Sequence, residues 1–246
     1  MTQNHKLTLS YLGTRYHGWQ RQENAVTIQG ILEDTISSLV GEKTSLIGCG
    51  RTDAGVHARN YVANGRFSTS IPPEKLPLAL NVRLPEDIVV HSDEIVPEEF
   101  HSVFSCTEKE YTYSVFNNRT RNPFFNETAA FVPVHLDTES MKEACGYFIG
   151  EHDFASMRSL GSNVKTTIRN VYRCEITREG ELIKLRIAAN GFLYNMVRTI
   201  VGTLVYVGLG KLKPEDMEWI LRSLDRKNAG PVMEACGLCL TGVKYE

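Results

Sequence analysis

The sequence predicts an α+β protein dominated by antiparallel strands, and two observations carry that prediction. An order of strand, helix, strand, strand is read in the first part of the chain and again in the second, and no long flexible linker separates them. The 246 residues exceed one average domain. A composition of 42% hydrophobic and 23% charged residues is ordinary for a chain that buries a substantial core.

In chain order, residues 6–12 alternate apolar and polar as a half-buried strand does, and Ile28, Ile31, Leu32, Ile36 and Leu39 then recur at helical spacing. Residues 46–49 and 61–67 read as two further strands. Pro72, Pro73, Pro77 and Pro85 make the next segment irregular, suited to covering an end of the sheet. Glu86, Asp87, Asp93, Glu94, Glu98 and Glu99 follow with no lysine or arginine between Leu84 and Phe100, and this stretch reads as an outer edge facing solvent. In the second part, residues 111–116 and 130–134 are strand-like, and Asp137 is placed to cap a helix carrying Met141, Ala144, Cys145 and Phe148 on one face. Strands at 171–177 and 182–189 precede helices at 192–207 and 214–224, the latter opened by a proline suited to a first turn. A last strand spans 238–245. A related unit is used twice, with no sequence repeat to mark a duplication.

No apolar run approaches the ~18 residues of a membrane span, and the polar start at residues 1–5 is unlike a signal-peptide core. A cytoplasmic protein without membrane association is expected. Cysteines 49, 106, 145, 174, 236 and 239 lie mostly in apolar segments and read as reduced thiols without a disulfide framework. A formal net charge of -2 counts against a nucleic-acid partner if only the total is read. The distribution differs: Arg15, Arg21, Arg51, Arg59 and Arg66 surround one loop, and Arg119, Arg121, Arg158, Lys165, Arg169 and Arg173 recur later. Charge alone leaves open whether these are partner-binding surfaces or solvated ones.

That loop is the run Gly50-Arg51-Thr52-Asp53-Ala54-Gly55-Val56-His57-Ala58. Glycines 48, 50 and 55 permit tight bends and close approach of a large substrate. The pairing of Arg51 with Asp53 suits an anionic substrate attacked by a carboxylate. An aspartate in a turn also serves as a plain turn-former. His57, four residues on, suggests metal ligation, but no third ligand is suitably spaced, and no metal is expected. Cys236 and Cys239 form a lone C-x-x-C, and Gly208-Leu209-Gly210-Lys211 lacks P-loop spacing.

Gly50 to Ala58 resembles the signature of the tRNA pseudouridine synthase A family. Four companions are similar to that family in the same order: Tyr16-His17-Gly18-Trp19-Gln20-Arg21-Gln22, Lys109-Glu110-Tyr111-Thr112-Tyr113, Gly191 through Arg198, and Ala229-Gly230-Pro231 with Gly237-Leu238. The resemblance spans nearly the whole chain. It implies a pseudouridine synthase fold, in which two similar halves, residues 1–104 with the aspartate loop and 105–246 with the tyrosine strand and arginine helix, form a continuous, mainly antiparallel sheet with flanking helices and a central cleft. It implies isomerisation of uridines 38, 39 and 40 in the tRNA anticodon stem-loop, by a homodimer and without a cofactor.

That reaction breaks N1–C1′, rotates the base and joins C5 to C1′. The resemblance makes Asp53 its catalytic group, either as a nucleophile or as a base removing a sugar proton. Excluding water around Asp53 would raise its pKa, so a nearby cation is required. The resemblance supplies Arg198 as an ion-pair partner, although a helix-face arginine can also reach to solvent along an apolar surface. It makes Tyr111 the ring that stacks on a flipped uracil and can accept the C5 proton, while Tyr113, on the same strand face, reads as core. Arg51 suits the space vacated by the base or its phosphate, and the resemblance implies that Leu238 is a further substrate contact. Leu12 stands where the family pattern has an aspartate, and Asn64-Gly65-Arg66-Phe67 also departs from it. Three readings compete: an RNA isomerase, an RNA-binding protein with little catalysis, and a metal-assisted hydrolase using Asp53 and His57.

Overall fold

The computed structural model describes residues 1–161 and 164–245. It consists of two compact units, one made of Met1–Thr107 with the chain from Cys239 onward, the other of Glu108–Leu238.

In the first unit, β1 (Gln3–Tyr11), α1 (Ile28–Val40), β2 (Leu46–Gly48), β3 (His57–Phe67), α2 (Leu76–Asn81) and β4 (Ile88–Val96) follow one another. Strand β1 is central, antiparallel to β3 through Leu7↔Ala63 and to β4 through Leu7↔Asp93. β2 pairs antiparallel with β3. The alternation of β1 buries Leu7, Leu9 and Tyr11, and α1 contributes Ile28, Leu32 and Ile36 to the same unit's core. The Thr27 side chain accepts from Gly30 N–H to start α1, and Gly41 ends it in the left-handed conformation at φ 77°.

The second unit holds β5 (Cys106–Asn117), β6 (Ala130–Val132), α3 (Thr138–Cys145), β7 (Gly150–Asp153), β8 (Ile168–Glu179), β9 (Leu182–Ala189), α4 (Met196–Gly208) and α5 (Asp216–Ser223). The order is β5-β9-β8-β7, antiparallel throughout, with β6 added parallel to β5. The chain closes with β10 (Leu238–Tyr245), which pairs parallel with β3 at Cys239↔His57. Asp137 caps α3 through its side chain, as its position suggested, accepting from Glu139 and Ser140 N–H.

Several elements differ from the sequence reading. The acidic stretch is not simply solvent-facing: it contains the edge strand β4, where Asp93 is buried and bonded to His5 Nδ1 at 2.8 Å. The arginine helix begins at Met196, not at residue 192, because Asn195 adopts a left-handed φ of 59° and turns the chain into it. Strand β3 starts at His57, so the aspartate loop runs straight into it. α2 and β7, of six and four residues, are too short to show a period.

Helix α4 is buried on nearly every side. Its Gly202 faces the Pro231 carbonyl, where any β-carbon would collide with the oxygen. The next residue, Thr203, accepts from Gly230 N–H at 2.9 Å and donates to the Thr199 carbonyl at 2.8 Å. Helix propensity alone makes Gly202→Ala stabilising by about 1 kcal/mol. The clash reverses that sign, so we expect the variant to lose about 1 to 3 kcal/mol in urea unfolding; a more stable variant would show that the contact is easily relieved.

Candidate active site

The aspartate loop, residues 49–56, spans the turn from β2 to β3 and is gripped from two directions. From the β3 side, Cys49 N–H donates to the Val62 carbonyl at 2.8 Å and the Tyr61 hydroxyl to the Gly50 carbonyl at 2.5 Å. From the N-terminal block, Trp19 N–H donates to the Thr52 carbonyl at 3.1 Å, and the Tyr11 hydroxyl meets Thr52 Oγ1 at 2.8 Å. Gly55 N–H, at φ 79°, reaches the Tyr16 carbonyl at 3.3 Å. This approach requires glycine opposite the loop. A β-carbon on Gly13 would strike the Val56 carbonyl, and one on Gly18 the Thr52 carbonyl.

Beneath this clamp lies a second layer that the sequence reading missed. Glu33 and Gln29 lie one turn apart on α1, and both are buried. Glu33 Oε1 accepts from Leu46 N–H and from Gln29 Nε2, each at 2.9 Å, while Arg21 donates to Oε2 at 3.2 Å. Gln29 in turn accepts from Arg21 N–H at 2.9 Å and donates to the Leu46 carbonyl at 2.9 Å. The signal was available: Gln29 and Glu33 are polar residues one turn apart, each beside an apolar core residue of α1. The 3-10 turn Gly13–Arg15 is anchored through Asp87, which accepts from Arg15 at 2.6 Å and from the Tyr16 hydroxyl at 2.5 Å. Burial, reinforced by this bond to Asp87, raises the Tyr16 pKa well above the usual tyrosine range.

On this platform Asp53 is half-buried and Arg51 is exposed. His57 is buried, and its Nδ1 accepts from Gly13 N–H at 2.9 Å, which fixes the end of the loop. That engages one ring nitrogen and weakens the hydrolase reading, which needed His57 as a ligand. Many of the arginines singled out by sequence are held in ion pairs: Arg15 with Asp87, Arg21 with Glu33 and Asp34, Arg66 with Glu98, and Arg173 with Glu110.

In the second unit, Tyr111 lies on β5 opposite Ile187, and its ring meets the edge of Phe192 at 5.1 Å and 89°. Tyr113 is core, as expected, with its hydroxyl donating to the Glu234 carbonyl at 2.7 Å. Its burial pushes the phenol far above the ordinary tyrosine pKa. Arg198, in the first turn of α4, donates from Nε to the Met233 carbonyl at 2.6 Å and from Nη1 to Asn195 Oδ1 at 2.9 Å. Asn195 is itself tied to Ser159 Oγ at 3.0 Å. Leu238 is buried at the start of β10.

A half-buried carboxylate on a loop held by hydrogen bonds, with an accessible arginine two residues before it, is an arrangement suited to presenting a fixed acidic group to an anionic substrate. The comparisons name the class more closely. A family model described as tRNA pseudouridine synthase matches residues 8–105 and 144–246. The tRNA pseudouridine synthase A of Caldicellulosiruptor bescii is 48% identical over 97% of this chain and 98% of that protein. The protein of that name from Thermoanaerobacter sp. is 46% identical over 98% and 99%, and a tRNA pseudouridine synthase A 2 from Clostridium perfringens is 45% identical over 98% and 99%. The chain belongs to the tRNA pseudouridine synthase family, whose members are isomerases that convert uridine to pseudouridine in tRNA.

The clamp makes a stability prediction independent of activity. Glu33→Ala leaves the buried Leu46 N–H and the Gln29 amide without their shared acceptor, and should destabilise the protein by about 2 to 4 kcal/mol. A urea midpoint equal to that of the wild type would mean that the loop is held without this network.

Proposed function

We propose that this protein isomerises uridines 38, 39 and 40 in the anticodon stem-loop of tRNA, with Asp53 as the catalytic carboxylate. The observation that carries the reading is the rigid seating of Asp53 within a chain that belongs to this family over most of its length. A carboxylate that is already oriented avoids reorganisation during reaction.

The uridine is extruded from its stack and held on Tyr111, where base stacking contributes roughly 1 to 3 kcal/mol. Asp53 then acts at the sugar, either attacking C1′ or removing a ring proton. The N1–C1′ bond breaks, the uracil turns, C5 joins C1′, C5 gives up its proton and N1 gains one. No electron transfer is required, so no cofactor enters the scheme. Arg198 neutralises Asp53 and keeps it ionised when the base excludes water; the Met233 and Asn195 contacts that fix its guanidinium support this role. Arg51, exposed beside Asp53, contacts the vacated space or a phosphate, and Leu238 borders the base. The two halves, 1–104 and 105–246, work as one catalytic unit in a cytoplasmic homodimer.

The test is tritium release from tRNA labelled at uridine C5, with a chelator present. Wild type is expected to release label, and Asp53→Ala to bind tRNA but release none. Release by the variant would remove Asp53 from the chemistry. Tight binding without release by either protein would favour an RNA-binding role instead.

A further inference from the structure

Arg169 occupies a position that the scheme above leaves unused. On β9, Ile187 pairs with Tyr111; Ala189, two residues on, pairs with Val171 of β8; and Arg169 lies two residues beyond Val171. Side-chain alternation therefore puts Arg169 on the sheet face shared by Tyr111, Ile187, Ala189 and Val171. Its guanidinium is half-buried, with Nη1 donating to the Thr166 carbonyl at 3.0 Å and the Ile168 carbonyl at 2.6 Å. Among the described residues it has no carboxylate partner, unlike Arg173 on the same strand, which is 2.7 Å from Glu110. Burial alone lowers the Arg169 pKa from the ordinary arginine value.

A partly desolvated cation without a counter-charge is a cost to the fold. With Nη1 on carbonyls, the Nε and Nη2 donors form a fork suited to two oxygens of one anion. Beside Nε stands Gly191, at which a β-carbon would lie 3.7 Å away, in ordinary van der Waals contact with the fork. Gly191 adjoins Phe192, whose ring edge meets Tyr111.

We propose that Arg169 binds a backbone phosphodiester of the RNA adjoining the nucleotide held on Tyr111. This rests on the isomerase reading for the identity of the anion. Arg169 stands roughly 10 Å from Tyr111 across two strand spacings and roughly 13 Å along the strands. That separation puts a base on Tyr111 beyond its grasp and the flanking backbone within range. A guanidinium suits the position because it keeps its charge under desolvation that would neutralise an amine.

The experiment measures binding of unmodified tRNA by the full chain across a KCl series, alongside tritium release. Arg169→Gln should bind about tenfold more weakly at low salt and flatten the slope of log affinity against log salt by about 0.7 to 0.9, the share of one phosphate contact. Its single-turnover rate at saturating tRNA should stay within about twofold of wild type. Arg169→Lys, which keeps the charge, should keep the slope while losing about threefold in affinity with the fork. A glutamine variant with the wild-type slope overturns the proposal even if its melting temperature falls, because the arginine then only ties the Thr166 and Ile168 carbonyls. So does a lysine variant whose slope falls with that of glutamine. Failure of the isomerase reading shows separately, as absence of tritium release by a wild type whose slope still responds to Arg169.

Discussion

The buried carboxylate of Glu33 is the constraint on which the first unit depends. Burying an acid is unfavourable unless its oxygens are bonded, and here both are: Oε1 by Leu46 N–H and Gln29, Oε2 by Arg21. Each partner belongs to a different segment, so the bonds that compensate the charge also fix α1, β2 and the N-terminal block in one arrangement. A fully satisfied polar network of this kind is rigid. The loop bearing Asp53 grows directly from β2, and the N-terminal block then supplies Trp19 N–H and the Tyr16 carbonyl to hold it. The rigidity of the Asp53 loop is thus inherited from a buried residue of α1 that lies outside it.

The parts of the fold legible in sequence were those in which one face is buried and the other wet. β1, α1 and the last strand carry such contrasts, and the structure places them within a few residues of expectation. The acidic stretch misleads because charge in a sequence suggests solvent, yet Asp93 lies buried against His5 and Asp87 is tied to Tyr16, partners that local pattern cannot reveal because they are distant in sequence. The candidate site is visible as a motif, and of its support only the polar pair Gln29 and Glu33 on α1 leaves a local trace. Gly13 and Gly18 look like ordinary turn glycines until the loop that they must clear is in place.

In the second unit the same logic acts on a cation. Arg198 is directed by the Met233 carbonyl and the Asn195 amide oxygen, and Asn195 takes the left-handed conformation to stand at the start of α4. Asparagine tolerates that conformation better than most residues. Its side chain also reaches Ser159, so the orientation of Arg198 is coupled to the loop that follows Met157. A helix read as starting at residue 192 would have made Asn195 one more interior position. The break at 195 instead leaves Phe192 outside the helix, with its ring against Tyr111.

The net charge of -2 becomes compatible with an RNA substrate once the pairing of individual charges is followed. Asp87 faces Arg15, Glu94 faces Lys6 and Glu98 faces Arg66, while Asp93 is buried against His5. Exposed pairs of this type add little stability, but each nearly cancels its own field beyond the ~10 Å over which salt screens. The acidic run therefore repels a polyanion far less than its six carboxylates suggest. Arg169 lies outside these pairs and has no carboxylate partner among the described residues, so its field is not cancelled at close range. Local pairing therefore shapes the field that an approaching phosphate meets more than the sum over the chain does.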